Sequence, residues 1–285
     1  MIRQVQVRIG PFKDYEKKGT KSAIVIDSNG LSSDLRIDFS VNKHITGSPN
    51  ETQLTLTNLS QNTRNALQQQ GLSVELYGGY VGQELNLISK GGILAAPTQR
   101  AGSEIVTTIY VMDGMGASLR SFYNKSYTGS IAVSTIIKEI AEKMEGVTIG
   151  EINVTGKLAN KGRIFNGRAI DSLDSLARAF GFSWSIQNNV FQAIDDDKSS
   201  KKLYSITPED NLISISPLLN GVIKAQVGVQ IETVLNPKIT PGDTVKVTSN
   251  VSPNLNGKYV IDECQIGGST HGSDWKMSLK SLKRF

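Results

Sequence analysis

Leu54-Thr55-Leu56-Thr57-Asn58-Leu59-Ser60, followed by Asn62-Thr63-Arg64-Asn65-Ala66-Leu67, changes its period within a few residues. Leu54 and Leu56 alternate with Thr55 and Thr57, the two-residue repeat of a strand with one apolar face. Ser60 then offers a hydroxyl N-cap, and the short helix behind it carries Leu67 toward a core until Gly71 ends it. The same alternation recurs on both sides. Val5, Val7 and Ile9 alternate with Gln4, Gln6 and Arg8 before Gly10-Pro11 breaks the run. Residues 23–27 form a short apolar strand closed by Asp27-Ser28-Asn29-Gly30. Leu35, Ile37, Phe39 and Val41 alternate with Arg36, Asp38, Ser40 and Asn42, and 74–80 and 105–111 complete the set. Six or seven short strands at such spacing point to a barrel or sandwich over 1–112.

The pattern changes at Asp113-Gly114-Met115-Gly116. Ile136, Ile137, Ile140, Ala141 and Met144 recur at helical spacing, which predicts a helix over 131–145 capped by Ser130 and closed near Gly146. Leu173, Leu176, Ala177 and Phe180 mark a second helix over 172–180, with Asp171 or Ser172 as cap. Two strands, 182–187 and 190–194, flank Asn188-Asn189, a pair that tolerates the positive φ of a tight hairpin. Residues 113–204 therefore form a small α+β unit. Strands return at 213–216, 222–230, 244–249, 258–266 and 275–283, with turns at Pro241-Gly242-Asp243 and Asn256-Gly257. Val245, Val247, Tyr259, Ile261 and Cys264 form their inner face, so 205–285 reads as a second small barrel. The fold class expected is mainly β with an α+β insert between two barrels.

Composition excludes more chemistry than it suggests. The 285 residues carry 31 Lys+Arg against 26 Asp+Glu, a net charge of +5. The excess is even: 11 against 9 over 1–112, 12 against 10 over 113–204, and 8 against 7 over 205–285. The one basic cluster, Lys276, Lys280, Lys283 and Arg284, alternates with Met277, Leu279 and Leu282 and reads as a strand with one wet face. A single cysteine removes any disulfide framework or multi-cysteine metal site. Cys264 lies in a strand pattern and reads as a core thiol. His271 sits in a glycine-rich hairpin tip, and His44 in a solvent-facing turn. Asp195, Asp196 and Asp197 lie beside Lys198 in a hydrophilic loop where solvent would keep them ordinary acids, and they lack the alternating ligands of a calcium loop. Glycine pairs such as Gly78-Gly79 and Gly91-Gly92 lack the spacing of a phosphate-binding loop. Trp184 shares a face with Phe182 and Ile186 and reads as core. The N-terminal strand pattern is not a signal peptide, and no run of ~18 apolar residues supports a membrane span. No catalytic, cofactor-binding or metal-binding residue is expected.

Several segments together resemble the baseplate hub proteins of contractile-tailed bacteriophages. They are the 54–60 strand with its capped helix; Val74-Glu75-Leu76-Tyr77-Gly78-Gly79-Tyr80; Ser89-Lys90-Gly91-Gly92-Ile93; 104–113; the helix, Gly-Phe-x-Trp and hairpin of 167–193; and Thr240-Pro241-Gly242-Asp243-Thr244-Val245-Lys246-Val247 with Gly257-Lys258-Tyr259-Val260-Ile261 and Asp274-Trp275. Thr57 stands where family members often carry an aromatic residue. The resemblance implies two tube-type β-barrels flanking a small α+β domain, at 1–112, 113–204 and 205–285. It implies a structural, non-enzymatic hub in the virion tail, made in the host cytoplasm. As a homotrimer it would form a pseudo-six-fold ring that joins the tail tube protein to the central spike protein and meets other baseplate proteins. DNA would pass through the ring without sequence recognition, and no cofactor is implied. The alternative function is a tail-borne cell-wall-binding or peptidoglycan-degrading protein, with 113–204 as its seat.

Overall fold

The computed structural model describes residues 2–11, 24–31, 33–158, 162–200, 202–219 and 226–282. The first segment supplies β1 (Arg3–Pro11), β2 (Ile24–Ser28), β3 (Ile37–His44), β4 (Glu51–Thr57), α1 (Gln61–Ala66), β5 (Leu72–Tyr80), β6 (Asn86–Ala95), β7 (Thr98–Ala101) and β8 (Glu104–Met112). The middle supplies α2 (Met115–Arg120), β9 (Phe122–Tyr127), α3 (Val133–Ala141), β10 (Thr148–Asn153), β11 (Arg163–Arg168), α4 (Ala169–Phe180), β12 (Phe182–Gln187) and β13 (Val190–Asp195). The last supplies β14 (Leu203–Ile206), β15 (Leu212–Leu219), β16 (Gln226–Val234), β17 (Thr244–Val247), a 3₁₀ turn at Pro253–Leu255, β18 (Gly257–Val260), β19 (Glu263–Ser269) and β20 (Trp275–Leu282). Strand accounts for 53 % and helix for 14 %, so the chain is mainly β.

Two closed barrels are not what these strands build. Twelve of them form one sheet in the order β15-β16-β20-β19-β3-β4-β8-β6-β5-β1-β2, with β7 paired to β8. The seam is the antiparallel pair β19–β3, which sets Ile266 opposite Val41 and Cys264 opposite Lys43. The reason is visible in the alternation of β3: Ile37, Phe39 and Val41 all point inward, and β19 matches them with Cys264 and Ile266. Two apolar stripes in register bury more side-chain surface as one sheet than as two. A single core therefore runs from Val5, Leu54 and Leu76 to Ile231, Val245 and Leu279. The small sheet β14-β17-β18 contributes Ile206, Val245 and Val247 to it.

The middle segment has its own core, built from Ile136, Ile137 and Ile140 of α3, Leu173 and Leu176 of α4, and Trp184 and Phe191 of the β12–β13 hairpin. Trp184 is buried as expected, stacked 6.1 Å from Phe191 with its Nε1 donating to Asp174. The Asn188-Asn189 turn has φ of 55° and 64°, as its residue types require. Four elements here had no sequence signal: α2, β9, β10 and β11.

Several local expectations need correction. The α3 N-cap is Ala132, without a side-chain cap bond, and not Ser130. Gly146 follows that helix at φ 73° and does not end it. The second helix begins earlier than expected, at Ala169, with Arg168 as N-cap and Asp171 inside its first turn. The span 258–266 is two strands, because Ile261 N–H bonds Asp243 and Asp262 N–H bonds Lys280. Leu282 lies on the wet face, 51 % exposed. Ala23, Lys201, 222–225, Lys283 and Arg284, which entered the expected strands, loop and basic cluster, lie outside the described residues. Ser60 does cap α1, accepting from Thr63 N–H at 3.1 Å.

Candidate functional site

The groups considered for chemistry come apart in three dimensions. Cys264 is fully buried, and burial pushes its thiol up to about 12, far from a nucleophile's range. Asp195 is not the solvated loop acid expected. It ends β13 at 6 % exposure; burial raises its carboxyl, but bonds from Lys198 Nζ and from Thr155 N–H and Oγ1 outweigh that and hold it below the usual carboxylate range. His271 bridges Thr270 Oγ1 and the Leu31 carbonyl, so it braces a hairpin tip. His44 ends β3, half-buried, and its carbonyl accepts from Gln187. A depression of ≈ 410 Å³ brings His44, Asp196, Asp262 and Glu263 to one rim. Its carboxylates are engaged: Asp196 by Ser183 Oγ, Asp262 by Leu282 N–H and Glu263 by Lys280. Among the described residues no cluster of His, Cys, Asp and Glu could hold a metal ion, and no helix is long and apolar enough to cross a membrane.

What stands out instead is one face of the large sheet. Strand pleating places Asp38, Ser40 and Asn42 of β3, Gln53 and Thr55 of β4, Gln265 of β19, Ser278 of β20, and Gln230 and Glu232 of β16 on the side away from the core. The side chains are short and largely uncharged. Three ion pairs lie along it: Arg36 to Asp38 at 2.8 Å, Lys276 to Glu232 at 3.5 Å and Lys280 to Glu263 at 2.9 Å. Gln230 also donates to Ser278 across the β16–β20 pair. Such a face is wet and close to neutral, with no basic stripe to hold a polyanion.

The sheet also ends in two edges. Among the described residues β2 pairs only with β1, and β15 only with β16. Val25 on the first edge, and Ile213 and Leu219 on the second, are each about half exposed. An edge of eight residues with apolar side chains is a template for pairing with another chain.

The middle segment is held to the sheet by a buried polar joint. Asp113 accepts from the backbone N–H groups of Asn188 and Asn189 at 2.5 and 2.8 Å. Asn50 donates to the Ile186 carbonyl and to Gln187, and Gln187 donates back to the His44 carbonyl. Burial raises the Asp113 carboxyl to about 6, against the pull of these N–H groups and of Lys43. Burial likewise lowers the Lys43 ammonium, against Asp113 and Cys264. Tight packing surrounds the joint: a Cβ on Gly47 would overlap the Trp184 indole, and Gly114 sits at φ 61° against Ile186. Composition and spacing gave no sign of this joint, because its members come from three separate stretches of chain, 43–50, 113–114 and 184–189.

Residues 20–278 match the model of the family described as baseplate hub gp41. Among curated proteins none matches. The fold is similar to solved tail proteins at low identity. One is the 43 kDa tail protein of prophage MuSo2 from Shewanella oneidensis, at TM-score 0.66 and 8 % identity over 98 % of this chain and 97 % of that one. Another is the tail protein of Neisseria meningitidis MC58, at TM-score 0.66 and 10 % identity over 99 % and 97 %. A third is the Escherichia coli c3393 protein, described as a type VI secretion component similar to the T4 tail proteins gp27 and gp5, at TM-score 0.64 and 13 % identity over 90 % and 75 %. The family match spans most of the sequence, and the chain belongs to the baseplate hub gp41 family, structural proteins of the phage tail.

Proposed function

We propose that three copies of this chain close a ring that joins the tail tube to the central spike. In this reading the chain divides into 1–112, 113–204 and 205–285. The first and last segments each present one sheet unit to the ring, giving six units from three chains and a pseudo-six-fold collar. Neither unit closes on itself; the edges at β2 and β15 are completed by neighbouring chains or by the tube. The observation that supports this is the twelve-stranded sheet whose two end strands, among the described residues, each pair on one side only. Its near-neutral wet face suits the wall of a channel through which DNA slides, since base reading or strong phosphate contact would stall the genome. The hub works by shape and symmetry and breaks no bond. Its partners are further copies of itself, the tail tube protein, the spike protein and other baseplate proteins.

The test is the molar mass of the full chain by light scattering, alone and co-expressed with the tube and spike proteins of its own tail, followed by electron microscopy. Trimers with a central hole are expected. A strict monomer that binds neither partner would refute the reading.

A further inference from the structure

Lys43 lies in the middle of the twelve-stranded sheet, 1 % exposed, with Cys264 opposite it. Among the described residues its Nζ has one hydrogen-bond acceptor, Asn188 Oδ1 at 3.1 Å. An ammonium has three N–H donors to satisfy, so this environment suits a neutral amine with a free lone pair. Asn188 is equally constrained. It occupies the left-handed region in a two-residue turn whose backbone is pinned by both oxygens of Asp113. Both partners are thus mounted on rigid elements, and the Nζ hydrogen-bonds Oδ1, the atom one bond from the amide carbon Cγ. That hydrogen bond holds the amine beside the carbon it would attack.

We propose that Lys43 and Asn188 form an intramolecular isopeptide bond, with Asp113 as proton carrier. The Nζ lone pair attacks Cγ of Asn188 and the carbonyl π pair moves onto Oδ1. Asp113, which bonds the Asn188 backbone N–H and does not contact Nζ directly, relays a proton from Nζ to Nδ2 through one bridging water. The Oδ1 pair re-forms the carbonyl, the Cγ–Nδ2 bond breaks and ammonia leaves. Lysine and asparagine become a secondary amide plus ammonia, with no oxidant or cofactor. Burial supports these roles independently of the distances, since it lowers the Lys43 ammonium and raises the Asp113 carboxyl, so that a neutral amine faces an acid able to carry a proton near neutral pH. The charged or titratable groups facing Lys43 are Asp113 and Cys264, and the thiol stays protonated. The bond would weld the middle segment to the sheet at the joint, closing a long loop against unfolding.

The test is mass spectrometry of the purified full chain after prolonged incubation at neutral pH. The expected intact mass is ~17 Da below that of the sequence, the mass of ammonia. Trypsin under denaturing conditions should release a branched peptide joining 37–64, uncut at Lys43, to 179–198. Lys43→Met should abolish the branch and Asp113→Asn should slow its formation at least tenfold. An unchanged mass in folded wild-type protein overturns the proposal whatever the variants do. A loss of ammonia without the branched peptide, as a succinimide at Asn188 would give, overturns it equally.

Discussion

The guanidinium of Arg3, on the first strand, lies over the ring of Trp275, on the last, 5.4 Å from its centroid. β1 and β20 are far apart in the strand order, so this contact records how strongly the sheet curls. Arg3 also donates to the carbonyls of Ser269, Gly272, Ser273 and Asp274 at the β19–β20 hairpin. Phe39 and Tyr80 pack on the same indole at 5.9 and 6.0 Å. The gap that backbone pairing leaves open is bridged here by side chains.

Arg3→Ala should therefore lower stability by about 2–3 kcal/mol, from the lost stacking and the stranded carbonyls. Urea unfolding measures it, and Arg3→Lys should recover only part, because an ammonium cannot fork across four carbonyls. A loss below about 0.5 kcal/mol would show that the curl does not depend on this bridge.

The Asp113 carboxyl gives the joint a pH signature. Its folded value of about 6 lies above the unfolded one of about 3.9. A group raised on folding contributes its full stability below the unfolded value and loses it as pH rises through the folded one. Relative to Asp113→Asn, wild type should lose up to about 3 kcal/mol between pH ~4 and ~6. Urea midpoints for both proteins across that range decide it, and parallel curves would contradict the buried-acid assignment.

Gly47→Ala should disturb the joint by steric overlap with Trp184, at about 1–3 kcal/mol. Gly267→Ala, on the wet face with nothing near its Cβ, is the matched control and should be close to neutral. Thermal unfolding together with tryptophan emission separates the two. Equal effects would mean that the packing at Gly47 is not tight.

Neutralising Asp38, Glu232 and Glu263 together, as Asn, Gln and Gln, removes three matched negative charges from the wet face. The variant should bind duplex DNA with affinity that falls steeply with salt, while wild type should not bind at physiological salt. Fluorescence anisotropy with a short duplex reads this. Tight binding by wild type would exclude a near-neutral channel wall.

Ile213→Lys on β15 and Val25→Lys on β2 place a charge on each exposed edge. Each should block assembly while leaving the far-ultraviolet spectrum and unfolding midpoint of the single chain within error. Assembly that survives both changes would move the contacts away from the sheet edges.

Period-two runs such as Val5–Val7–Ile9 and Ile37–Phe39–Val41 were legible because a strand with one wet face must alternate. The helix stripes of α3 and α4, the Ser60 cap and the Asn188-Asn189 turn were legible for the same local reasons. The six-residue strands β9, β10 and β11 of the middle segment were not. β9 reads Phe-Tyr-Asn-Lys-Ser-Tyr, and its inward Tyr123 and Tyr127 are tied to Glu139 of α3 by hydrogen bonds that no window of sequence contains. Asp195 misled because the residues after it in sequence are solvated, whereas Thr155, forty residues earlier, bonds it together with Lys198.

Residue order alone determined the strand-rich class and the helical insert, since each depends on neighbours a few positions apart. Only the tertiary structure decided that the two outer segments share one sheet through β3 and β19, and that Lys43, Asp113 and Asn188 meet. Pairing between strands more than 200 residues apart is chosen by matching apolar faces and buried polar groups across space, and that match is written in no single stretch of the chain.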